Sequence, residues 1–150
     1  MNSIATSLES LIEAYLPQLK MLSETEFSYK PSPTKWSKKE LIGHLIDSAQ
    51  NNIRRFIVAQ YEETPTILYN QDKWVTINNY QDQEVSSIIH LWYLLNKQIV
   101  SILKNTSWET SQRICKSGEL QTIEWLAHDY IKHLKHHVHV VLNLEPVSYP

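Results

Sequence analysis

The sequence predicts an all-α fold, a four-helix bundle with a long connection between its second and third helices. Three observations lead there. Only 2 of the 150 residues are glycine, where average usage of roughly 7% would give about ten. Apolar residues recur at intervals of three and four along four separate stretches of about 20 residues. No internal repeat or low-complexity segment divides the chain, so residues 1–150 read as a single domain of ordinary size. The glycine shortage also excludes functions. Phosphate-cradling loops need several glycines close together, and Gly43 and Gly118 stand far apart.

The first helix is expected from about Ile4 to Leu22, with Ile4, Leu8, Leu11, Ile12, Tyr15, Leu16, Leu19 and Leu22 on one stripe. Pro17 lies inside it and predicts a kink or a break, because proline removes a backbone donor and crowds the preceding turn. Residues 23–35, with Pro31 and Pro33, read as a loop. Ser37 and Glu40 form a capping box for the second helix, and Trp36 and Leu41 suit a hydrophobic staple. That helix should reach Gln60 or Tyr61 before Thr64-Pro65 stops it. Residues 64–81 lack helical periodicity and form the long connection, a kind that is functional or spans a bundle from end to end.

The third helix is expected from near Asp82 to about Asn105, on a stripe of Val85, Ile88, Ile89, Trp92, Leu95, Ile99, Ile102 and Leu103. Lys116-Ser117-Gly118-Glu119 marks a turn within a small hairpin over residues 113–121. Thr122 caps the fourth helix, which runs through Leu142 until Pro146 ends any continuation. Trp92 and Trp125 are expected in the core. Trp74 and Trp108 fall in connections, where Trp74 could cover a site or a dimer contact.

Charge and cysteine content narrow the partners. Lys and Arg number 14 against 16 Asp and Glu, a net of −2, and no basic run exceeds two residues. That is no footprint for nucleic acid. The lone Cys115 has no partner for an internal disulfide, which fits a reducing compartment. The start of the chain carries no basic segment followed by an apolar one, and no apolar run approaches the ~20 residues of a membrane span. A cytoplasmic protein without a membrane partner is expected.

The 7 histidines carry the chemistry. Each helical residue advances about 100°, so His137 lies about 40° from His133 and Asp129 about −40°, on the inward stripe of the fourth helix. His136 flanks that stripe, and His128 and His139 point away from it. On the second helix, Asn51, Arg55 and Ser48 fall within about 40° of His44, and Asp47 at about −60°. This polar row faces partly inward, which costs stability unless its members are paired. His90 lies opposite the stripe of the third helix and reads as a surface residue. Two imidazoles four apart on one helix face, joined by a third from a facing helix, would leave open positions for water or substrate. Leu134 follows His133, so the glutamate of a zinc-protease helix is absent. A solvated, histidine-rich helix is the plainer alternative.

Two segments extend this. Trp36-Ser37-Lys38-Lys39-Glu40-Leu41-Ile42-Gly43-His44-Leu45-Ile46-Asp47-Ser48, with Arg54-Arg55-Phe56, resembles the second-helix signature of the DinB-like (YfiT-type) superfamily. Asp129-Tyr130-Ile131-Lys132-His133-Leu134-Lys135-His136-His137 resembles its fourth-helix signature, and Tyr69-Asn70-Gln71-Asp72-Lys73-Trp74 its connection. The resemblance implies a four-helix bundle, often a homodimer, holding a divalent metal (Ni, Zn or Fe) on His44, His133 and His137. Relatives include thiol S-transferases, a mycothiol-dependent isomerase and metal-dependent hydrolases.

Three functions for a small-molecule substrate follow. In the first, a low-molecular-weight thiol is activated as a thiolate, and Arg55, or less well Arg54, binds a carboxylate. An interhelical salt bridge is the other role open to these arginines. In the second, the site is hydrolytic, with Asp47 or Asp129 as base; Asp129 would otherwise fix the tautomer of His133 by accepting its far N–H. The third is a bundle that holds metal or ligand without turnover. Tyr130 borders the site or packs in the core. Gly43, mid-helix beside His44, is expected to let another helix approach the metal.

Overall fold

Four amphipathic stretches become four long helices in the computed structural model, which describes residues 1–149. They are α1 (Asn2–Met21), α3 (Lys38–Val58), α5 (Val85–Asn105) and α7 (Ile123–Leu142). Between them lie α2 (Glu24–Ser28), α4 (Gln71–Asn78), a 3-10 turn (Tyr80–Asp82), α6 (Trp108–Ser111) and an antiparallel hairpin of β1 (Ile114–Lys116) and β2 (Leu120–Thr122). α5 packs on both α1 and α3, and α7 closes the ring by packing on α3 and α1. The four apolar stripes meet around Leu8, Ile12, Leu45, Trp92, Ile99, Leu103, Leu134 and Val138, all buried.

Ser37 accepts from the Glu40 backbone while the Glu40 carboxylate receives the Ser37 N–H, so the capping box starts α3 as expected. Thr122 caps α7 through the Trp125 N–H. Pro17 neither breaks α1 nor ends it. One missing backbone bond near the end of a 20-residue helix is outweighed by the apolar stripe on either side of it. The third helix starts at Val85 rather than Asp82, because residues 80–82 form the 3-10 turn.

Two expected loops contain helices. Residues 23–35 hold α2, opened by its own capping box of Ser23 and Glu26. The connection over 64–81 holds α4, capped by Asn70. The connection is also tied down. Ile67 donates to the Lys116 carbonyl, and Lys116 donates back to Pro65, so it runs beside the hairpin. Lys39, buried despite its charge, holds Glu24 of α2 and the Gln81 and Gln83 carbonyls to the start of α3. Trp92 is core as expected, but Trp125 is 47% exposed. It sits in the first turn of α7, turned off the inward stripe. No helix among the described residues is long and apolar enough to cross a membrane.

Gly43 serves a closer approach than the expected helix. A Cβ there would overlap the ring of Tyr80, from the 3-10 turn. Gly43→Ala should therefore lower the thermal midpoint, although alanine favours a helix by about 1 kcal/mol over glycine. A midpoint that rises would mean that the Tyr80 ring yields freely.

Candidate metal centre

His44 from α3 and His133 and His137 from α7 converge inside the bundle. One ring nitrogen from each lies within 4.8 Å of the others, a spacing at which one ion can be shared. The Nε2 atoms of His44 and His133 are 3.0 Å apart. The rings meet edge to face, with centroids 4.6 to 5.0 Å apart. Positions 133 and 137 share a face because they are one helical turn apart. His44 meets them because α3 and α7 pack together.

Burial holds these imidazoles neutral. It pulls His44 down to about 4, and His133 and His137 to about 3 and 4, with repulsion between the histidines adding to the effect in the last two. A neutral imidazole carries the lone pair that a metal needs. His44 Nδ1 is buried with no partner, and the pull of the Asp72 charge toward the protonated form is outweighed by burial. The donor set fits a divalent transition metal, and three imidazoles accept Zn, Ni or Fe alike.

Polar neighbours surround the histidines. Ser48 Oγ lies 3.4 Å from His133 Nδ1. The Trp36 ring tilts over His44 at 5.1 Å, so this expected staple residue also walls the site. Asp47 accepts from the Tyr80 hydroxyl at 2.6 Å and from Asn78 at 2.9 Å, and desolvation still raises its carboxyl to about 6. The tail beyond α7 folds back over the site. His136 Nδ1 lies 2.6 Å from the Val147 carbonyl, and Tyr149 stacks 5.1 Å from His133.

The expected site residues divide into those brought together and those held elsewhere. Arg55 and Tyr130 line a cavity next to His133, although Tyr130 is fully buried and also donates to Asn96. Asn51 is buried but donates to the Asp47 carbonyl of its own helix. Asp129 does not hold the His133 ring; its Oδ2 accepts from the Tyr149 hydroxyl at 3.0 Å, and Ser48 takes the place beside His133 Nδ1. His139, expected to point away, pairs with the Tyr15 hydroxyl and the Glu145 carbonyl. His90 and His128 are exposed as expected. Trp74 packs on Tyr69 in the connection. Asn52, Tyr69, Gln71 and Tyr149 line the cavity without having been singled out from the sequence. Asn52 carried a signal as a polar residue beside the row on α3, and Tyr69 and Gln71 as members of the connection segment; Tyr149 carried none.

Comparison with known proteins follows the same lines. The sequence pattern of the DinB superfamily matches residues 7–141. The chain belongs to the DinB superfamily. A Halalkalibacterium halodurans protein named "Putative metal-dependent hydrolase" is 26% identical over 120 residues, covering 78% of this chain and 70% of its own. Among solved structures, YfiT from Bacillus subtilis, described as a probable metal-dependent hydrolase with an unusual four-helix bundle topology, matches with a TM-score of 0.73 and 21% identity. That match covers 95% of this chain and 87% of YfiT. A mycothiol-dependent maleylpyruvate isomerase matches at TM-score 0.78 and 15% identity, with 96% of this chain covering 61% of that one. The bundle fold of this chain is thus found in proteins described by different activities.

The depressed histidines set a stability window. Folded values of about 3 to 4 lie below the ordinary 6.5, so the unfolded chain binds more protons and stability falls as pH drops through that interval. Asp47, raised to about 6, works in the opposite sense below that pH and offsets part of the loss. Chelator-treated protein should therefore melt at a lower temperature at pH 5 than at pH 7.5, and His133→Asn should shrink the difference. Equal midpoints at the two pH values would show that the rings are solvated.

Proposed function

We propose that this protein is a metal-dependent enzyme that transfers a low-molecular-weight thiol, with His44, His133 and His137 as the three metal ligands. The observation that carries the reading is the convergence of three neutral imidazoles from two packed helices. Such a set leaves coordination positions for a substrate, as in catalytic rather than structural sites. A divalent ion held there would supply Lewis acidity, lowering the pKa of a thiol or water. Trp36 and Tyr149 exclude bulk water from the histidines, and Ser48 orients His133. The mycothiol dependence of one structural neighbour supports a thiol as the co-substrate.

Hydrolysis is the second reading, supported by the names of two relatives and by Asp47. Its carboxyl is raised to about 6 and its Oδ2 is buried without a partner, as a general base would be. Two features favour the thiol. Tyr80 and Asn78 already hold the other Asp47 oxygen, and Asp129 is engaged by Tyr149. A thiol also needs less help than water, since the thiolate forms nearer neutral pH. The same proposal takes the protein as a cytoplasmic homodimer acting on a small molecule; the buried, unpaired Cys115 supports a reducing compartment.

Elemental analysis of protein purified without added metal should find roughly one ion per chain, and His44→Ala and His137→Ala should lose it. The wild type should then consume a small thiol in the presence of an electrophile faster than either variant. A metal-free wild type removes both readings. Turnover in an ester and amide screen with no thiol consumption moves the assignment to hydrolysis.

A further inference from the structure

Arg55 is only 9% exposed, yet every hydrogen bond it makes runs to a neutral acceptor. Nε and Nη2 donate to the Ile67 carbonyl at 3.3 and 3.1 Å, and Nη1 to Asn52 Oδ1 at 3.4 Å. Its guanidinium faces the Tyr69 ring at 5.8 Å. Among the described residues no carboxylate forms an ion pair with it; the pairs present involve lysines on other parts of the surface. Asp129 borders the same space and its charge reaches Arg55, but it lies beyond ion-pair distance and is engaged by Tyr149. A buried guanidinium stays charged, and a buried charge without a counter-charge is costly to the fold. A fold that keeps one has a place for an anion to arrive.

That place is a cavity of about 160 Å³ walled by Arg55, Asn52, Ser48, Tyr69, Gln71 and His133. At roughly 30 Å³ for a water's share of liquid volume, it holds a handful of heavy atoms, a small acid rather than a nucleotide. Guanidinium binds carboxylate in a planar, two-point fork. His133 belongs both to this wall and to the three-histidine cluster, so a molecule anchored at Arg55 has its other end at the histidines.

We propose that this cavity is a carboxylate subsite, in which Arg55, oriented by Asn52, seats the carboxylate of a small substrate whose reacting end faces His133. The subsite deepens the thiol-transfer reading, and rests on it only for the reaction, not for the binding. The carboxylate could belong to the acceptor or to the thiol, and the chemistry at Arg55 is the same.

Zinc-loaded, isotope-labelled protein would be titrated with propionate, propionamide and 3-mercaptopropionate, following the Arg55 Nε–H signal and the binding isotherm. Propionate should bind at least tenfold more tightly than propionamide, and Arg55→Met should weaken it about tenfold or more, with Arg55→Lys between. Asn52→Asp should have the same effect by placing a carboxylate on the guanidinium from within, which covers the case in which Arg55→Met fails to fold. Weakening of propionate and 3-mercaptopropionate alike by these variants supports the subsite, whichever molecule brings the carboxylate. Weakening of 3-mercaptopropionate alone places it on the thiol. Propionate binding that survives His137→Ala separates this subsite from the metal assignment, whichever way that assignment falls. The proposal is overturned if both acids bind the variants as they bind the wild type, or if His137→Ala abolishes propionate binding while Arg55→Met leaves it intact.

Discussion

Pressing three imidazoles edge to face between α3 and α7 is the constraint from which much of the remaining structure follows. Placed in the interior, they drag a polar row into the bundle with them, and each member of that row must find a partner or cost stability. The long connection supplies those partners. Its Ile67 carbonyl takes Arg55, and its Asn78 and Tyr80 take Asp47. What looked like a crossing from one end of the bundle to the other is also a polar lining laid along α3.

The division of labour follows from rigidity. The histidines stand on two long helices whose apolar stripes fix their positions to within a side chain's freedom. The walls of the adjacent cavity come partly from elsewhere: Tyr69 and Gln71 from the connection, Tyr149 from the tail. Connecting segments change more readily than packed helices. The same bundle fold occurs in a mycothiol-dependent isomerase and in a protein described as a probable hydrolase, so the fold by itself does not fix one activity.

Much of this was legible in the sequence because periodicity and capping are local. The stripe of α5 and the Ser37 box each lie within a few residues of one another and need no tertiary information. Two of the three histidines were legible for the same reason, a single turn apart on α7. Failures came where distance along the chain was large. Asp129 meets Tyr149 rather than His133, and no helical wheel includes a tail that folds back. Lys39 reads as a surface lysine until Gln81 and Gln83 close over it. Ser23 and Glu26 form a local capping box, while Pro31 and Pro33 after them give the segment the composition of a loop. The apolar stripe packed along α1 carries the helix past Pro17 without a break.

The Tyr80 ring lying on Gly43 has a consequence for how this sequence can drift. Position 43 shapes the space that the ring fills, and position 80 places the hydroxyl that Asp47 accepts. A larger residue at 43 therefore requires a smaller one at 80, and the smaller one withdraws a hydrogen bond from a buried carboxylate. Neither site is free to vary by itself, and the step that relieves crowding at one alters the charge balance beside the histidines. Descendants of this chain would be expected to change the two together with Asp47, or to change none of the three.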